Sequence, residues 1–280
     1  MKGRTLRSLC TAALLAAATL AQAEIDRPAA EGLVRKSGLW EQLGGIGLQV
    51  QAGMQQSLAG GTGLSPTGPE RARVSRVIQA AYAPDRLRSV STGVIAARMQ
   101  PQHLQALRQW FDSPQGQAVT RAEEASLAGD ADPGVTLKEG SALLKSMPAE
   151  RRKLLEDLLA ATRAAEAMVQ ITISTGIAVQ LGAASAQPGA PSPSAAQLRG
   201  VLETQRPQML QAFSAMSMAS FAHAYAGIPT QELRQYVAFI RTPAGTAFND
   251  AAMEALEAAL TDAAAEMGRR LPGTRDGSNT

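Results

Sequence analysis

Apolar positions recur along this chain with a helical period almost from end to end. Within 151–172, Leu155, Leu158, Thr162, Ala165, Val169 and Thr172 are spaced by three and four, which places them on one helix face. Arg151, Lys153, Glu156, Asp157 and Arg163 fall largely outside that face. Near the C-terminus Met253, Leu256, Leu260, Ala263 and Met267 repeat the spacing. Asp250 and Glu254 stand early in that helix and Arg269 and Arg270 late, as the helix dipole prefers, and Leu271-Pro272-Gly273 stops it. Only 169–179 and 46–50 have the uncharged, partly β-branched character of a buried strand, and the helical period around them argues against one. The pattern predicts an all-α protein.

A second pattern has a much longer period. QHLQALRQWFDSPQGQAVTRA at 102–122 aligns with QELRQYVAFIRTPAGTAFNDA at 231–251 at a constant offset of 129. Identities fall at Gln102/Gln231, Leu104/Leu233, Pro114/Pro243, Gly116/Gly245, Ala118/Ala247 and Ala122/Ala251, and Trp110/Phe239 and Ser113/Thr242 are conservative matches. Upstream the likeness is one of organisation. No charge occurs between Glu41 and Glu70, nor between Glu166 and Arg199. Each uncharged stretch starts as a helix-compatible segment and ends in a Gly- or Pro-rich cluster, GGTGLSPTGP at 60–69 and AQPGAPSPS at 186–194. Setting Glu41 against Glu166 gives an offset of 125, so a small insertion is expected near the second cluster. The chain therefore divides into two related helical-bundle copies packed together, at 29–129 and 148–270. Residues 130–147 link them, and 271–280 form a disordered tail.

The shared [ST]-P-x-G motif has a capping explanation. Ser113 and Thr242 are good N-caps, whose side-chain oxygen accepts an orphan backbone N–H. Pro114 and Pro243 suit the first helical position, and residues before proline avoid the α region, so the preceding helices end near Asp112 and Arg241. Gly116 and Gly245 remove a side chain in the first turn, which would let another helix approach. The motif is read as a helix–corner–helix joint. A helix N-terminus also suits an anion, but capping accounts for every residue type present.

ELRQYVAFIRTPAGTAF at 232–248 resembles the signature of the bacterial secreted proteins grouped as domain-of-unknown-function family 2059. That signature is an acidic helix start, an aromatic pair, Ser/Thr-Pro-x-Gly and a final helix. WFDSPQG at 110–116 is similar and keeps both aromatics, whereas the second copy has Ile240 at the second aromatic and the first copy has His103 at the acidic start. The resemblance covers about a quarter of each copy clearly. It implies a helical fold and export to the periplasm, and it transfers no catalytic residues.

The N-terminus agrees with export. Lys2, Arg4 and Arg7 precede an apolar run at 9–20 that is short for a bilayer span, and Ala21-Gln22-Ala23 has the small-x-small pattern of a cleavage site. Glu24 is then expected to begin the mature chain. Cys10, the one cysteine, leaves with the signal, which suits an oxidising compartment. This changes the meaning of the charge. The full 280 residues carry 27 basic and 24 acidic side chains, and the three excess cations are Lys2, Arg4 and Arg7. Without 1–23 the balance is zero, which removes the net-charge case for a polyanionic partner.

Candidate chemistry is sparse. His103 and His223 lie far apart and outside any HExxH pattern, so no metal site is expected; His223 reads as a partly buried helix residue. The acids of Asp130-Ala131-Asp132 lack the Gly and Glu that a calcium loop needs, Val135 and Ser141 standing there instead. The Gly-rich runs at 44–47 and 60–63 lack a P-loop ending, so no cofactor is predicted. No G-x-S-x-G elbow occurs, and no catalytic residue is assigned. Glu123 and Glu124 point about 100° apart on a helix and are read as a solvated face. Arg71, Arg73, Arg76, Arg86 and Arg88 likewise read as a solvated face, not a nucleic-acid surface. The uncharged stretch at 167–198 is diluted by Gln170, Thr172, Ser174, Thr175 and Gln180, which favours a helix buried on most sides over a transmembrane span. With 45% hydrophobic but only 4% aromatic residues, the core is expected to be Ala, Leu, Val and Met. The expected role is a periplasmic binding or interaction module, with a groove between the copies for an apolar small ligand or a partner helix. The alternative is a cell-envelope hydrolase with a site between the copies.

Overall fold

The structure is a computed structural model that describes residues 24–60, 68–127, 133–185 and 194–271. The proposed signal and its cleavage residues Ala21 and Ala23, the Gly-rich run at 61–63, Asp130 and Asp132, and the tail from 272 lie outside them. Among the described residues the fold is all-α, with no strand. The helices are α1 (Arg27–Lys36), α2 (Leu39–Gly60), α3 (Gly68–Ala81), α4 (Pro84–Arg98), α5 (Pro101–Asp112), α6 (Pro114–Leu127), α7 (Pro133–Ser146), α8 (Ala149–Thr162), α9 (Ala164–Ser185), α10 (Ala195–Glu203), α11 (Arg206–Ala224), α12 (Thr230–Ile240) and α13 (Pro243–Arg270). Segments 46–50 and 169–179, the two strand-like runs, lie inside α2 and α9.

Helices α1–α6 and α8–α13 pack in matching pairs. Contacts of α1 with α4 and α5, and of α2 with α3 and α4, have counterparts in α8 with α11 and α12, and in α9 with α10 and α11. The last helix of each set reaches across while keeping its own neighbours. Helix α13 lies along α9 and also against α3, α4 and α5, while α6 lies against α5 and α2 and also against α11 and α12. The buried clusters follow this exchange. Leu33, Leu43, Ile78, Leu87, Ile95 and Leu107 of α1–α5 share a core with Phe248, Ala255 and Ala259 of α13. Val119 of α6 joins Leu155, Leu158, Leu233 and Val237. The set boundary is also wider than the sequence suggests: Ile25 is buried in the first core, and Leu271 packs on it while capping α13. The segment expected as a link carries α7, packed along α11.

The turns between α1 and α2 and between α8 and α9 match as well. Gly38 (φ 76°) and Arg163 (φ 52°) are the positive-φ residues of the described chain. They stand at the same offset of 125 as Glu41 and Glu166. The helical face read through 151–172 is thus broken at Arg163. Leu155, Leu158, Thr162, Ala165 and Val169 are buried, but Thr172 is exposed, because the buried row of α9 continues in steps of four through Ile173 and Ile177.

Helix α13 corrects a second expectation. Its core-facing stripe is Ala251, Ala255, Ala259, Ala263 and Met267, spaced by four, whereas Met253, Leu256 and Leu260 are half-buried. Small residues let neighbours come close, and at Gly182 of α9 and Gly268 of α13 the two backbones meet. A methyl on either glycine would overlap a carbonyl of the other helix, that of Ala265 or Val179. Helix α9 is long and apolar enough to cross a membrane by length and composition, with a best-window mean hydropathy of 1.4. It is not buried on most sides: 33% of that window is buried. One face, with Val169, Ile173 and Ile177, meets α10 and α11, and α13 covers another.

Candidate functional site

Both [ST]-P-x-G segments form the same corner. Ser113 Oγ accepts the Gly116 N–H at 3.0 Å and donates to the Trp110 carbonyl at 2.6 Å. Thr242 Oγ1 accepts the Gly245 N–H at 3.0 Å and donates to the Phe239 carbonyl at 2.7 Å. Pro114 and Pro243 open α6 and α13. The glycines have a different cause from the one expected. A methyl on Gly116 or Gly245 would overlap the carbonyl oxygen of Trp110 or Phe239, in the last turn of the preceding helix. The missing side chain makes room for the corner itself, not for another helix.

The two corners meet. Trp110 and Phe239, equivalent at the offset of 129, stack with ring centroids 4.4 Å apart and planes 7° from parallel. Phe111 stands edge-on to Phe239 and to Phe248, at 6.3 and 5.3 Å. Around this junction is a cavity of about 500 Å³, within the ordinary range for a small-molecule site. Eight of the ten aromatic residues in the whole sequence line it, including all five phenylalanines. The other two, Trp40 and Tyr82, lie elsewhere; Trp40 sits under the guanidinium groups of Arg35 and Arg88.

One wall of the cavity is polar. Glu123 of α6 takes hydrogen bonds from the hydroxyls of Tyr225 (2.6 Å) and Tyr236 (3.0 Å), both to the same oxygen, Oε1. Burial holds this carboxyl above the usual carboxylate range, Glu124 adds to the effect, and the tyrosines pull against it. The same burial, with the nearby carboxylate, holds both tyrosine hydroxyls well above 10. Helices α11 and α12 bring the tyrosines together, and the connection between them is tied to α8 by Arg151, which donates to Tyr225's carbonyl and to Thr230 Oγ1 (3.2 Å).

This corrects the view of Glu123 as part of a solvated face: it turns inward, held by two residues more than a hundred positions away. The sequence alone placed Glu123 on a solvated face and left Tyr225 and Tyr236 without a role. The available signal was the placement of aromatics, eight of ten falling at 110–111 or within 213–248. No histidine lines the cavity among the described residues. His223 faces Glu139 of α7 at 3.5 Å, and no group of described His, Cys, Asp or Glu side chains could hold a metal ion. Two residues of the basic cluster have acidic partners: Arg86 pairs with Asp262 at 2.8 Å and Arg88 reaches Asp85 at 3.9 Å. Gly47 comes close to the Tyr82 carbonyl, so the 44–47 run serves a helix contact. No family model matches this chain, and searches of curated proteins and of solved structures return no match.

Proposed function

We propose that this protein is an exported, non-enzymatic binding module of the periplasm that holds an apolar small molecule in the cavity where its two helical sets meet. One observation carries this: a chain poor in aromatics gathers eight of ten around one cavity of about 500 Å³. A core needs density, and voids lined by side chains weaken it. A chain that instead keeps such a volume open and rings it with its largest apolar groups is suited to receive a guest. The composition of the N-terminus and the resemblance to the secreted family 2059 support export. The matched helix order, the matched corners and the matched left-handed turns support two degenerate copies in tandem. No histidine lines the cavity among the described residues, so the convergence of serine, histidine and acid that would favour the hydrolase alternative does not occur there.

Native mass spectrometry of protein purified from its own cell envelope tests the proposal. A species heavier than the bare chain, lost on denaturation, is the expected result. Bare chain alone, with no thermal shift on adding apolar probes, would overturn it.

A further inference from the structure

The cavity has a charge preference as well as an apolar one. Its lining residues include two carboxylates, Glu123 and Glu124, and no lysine, arginine or histidine. Both tyrosines bond Glu123 through Oε1, and Oε2 takes no hydrogen bond from the described residues. A carboxylate has acceptor sites on both oxygens. Glu123 is therefore half satisfied: one oxygen is fixed in place by two donors and the other is open beside the cavity. Aromatic rings present a negative face to a cation, and this cavity has eight of them. An anionic guest would meet two like charges without a counter-cation. The open side is lined by Met168 and Met216, 39% and 44% exposed, whose flexible thioethers adapt to guests of varied shape.

We infer that the ligand class is an apolar amine, its ammonium group donating to Glu123 Oε2 and its apolar body lying between Trp110, Phe239 and the methionine rim. This rests on the binding-module proposal above and adds the ligand's charge to it. Tyr225 and Tyr236 have a stated part: they fix the carboxylate so that the ammonium finds its partner already oriented.

Decylamine, decanol and decanoate, sharing one tail, separate the two proposals. Trp40 lies outside the cavity, so Trp40→Phe leaves Trp110 as the single tryptophan, whose selectively excited emission reports occupancy. Decylamine is expected to bind about tenfold more tightly than decanol at neutral pH, with decanoate weakest. In Glu123→Gln the amine should lose its advantage while decanol binds as before. On the protein with Glu123 intact, carbodiimide coupling of bound decylamine should place the amide at Glu123, and excess decanol should suppress it, so the inference stays testable even if the variant fails to fold. Decanol binding without an amine preference, a preference that survives Glu123→Gln, or an amide only on other carboxyls would overturn the amine assignment alone. Binding of none of the three would overturn the cavity as a binding site.

Discussion

Helices α6 and α13 leave equivalent corners and then diverge. Both begin with a Ser/Thr cap, a proline and a glycine, and both cross to the other helical set. Counted from the corner, α6 is 14 residues long and α13 is 28. At the offset of 129, Glu123 corresponds to Ala252, Val119 to Phe248 and Thr120 to Asn249, and all six line the same cavity. Tyr236 corresponds to Leu107. The corner is alike in both because backbone geometry demands it. The cavity wall differs because both helices face one shared volume, to which α6 presents the carboxyl of Glu123 and α13 the methyl of Ala252. A near-symmetric frame thus holds one asymmetric polar group.

The largest test concerns the shared part. Gly116→Ala and Gly245→Ala should each cost about 3 kcal/mol in urea unfolding, since each methyl overlaps a carbonyl in the preceding turn. If one corner tolerates alanine, the two are not equivalent. The asymmetric part comes next. Glu123→Ala leaves two buried tyrosine hydroxyls without an acceptor and should cost about 2 kcal/mol, whereas Glu123→Gln keeps an acceptor and should cost less.

The pH dependence of Glu123→Gln sharpens this further. Folding raises the Glu123 pKa, so the folded protein holds that proton more tightly than the unfolded chain, whose value is near 4.5. The resulting cost to stability is absent below that value, grows as pH rises through it, and is complete above the folded-state pKa. Glu123→Gln should therefore gain relative to the parent as pH rises through this window, and a constant difference across it would show that the carboxyl does not titrate there.

The caps follow at about 1 kcal/mol each for Ser113→Ala and Thr242→Ala, measured by thermal melts, because each loses one bond to a helix N-terminus. The effects at the matched turns are no larger than those of the caps, and they carry opposite signs. Gly38→Ala should destabilise by about 1 kcal/mol, since alanine resists a φ of 76°. Arg163→Gly should stabilise by roughly 0.5 kcal/mol, relief of its left-handed backbone outweighing the loss of its exposed pair with Asp250.

Features that are local in the chain were legible before the structure. The helical period named the fold class, and the residue types of Ser113-Pro114 and Thr242-Pro243 named their own capping chemistry. Readings that depend on which face meets which neighbour came out differently. On α13 the larger Met253, Leu256 and Leu260 outranked the alanines by hydrophobicity, yet tight packing selects small residues, and the alanine stripe faces the core. Glu123 carried no local mark. Its role follows from Tyr225 and Tyr236, which the exchange of α6 brings to it, and an exchange of helices has no signature at the level of periodicity.

That exchange also sets an order on synthesis. The core around Leu33, Leu87 and Leu107 is encoded well before its final wall, which is 243–270. A nascent chain that has emerged as far as α12 still leaves its first core open on one side, so completion waits for the C-terminal helix. The first helical set is translated before the helix that closes it, so the two sets complete their cores together and not in succession.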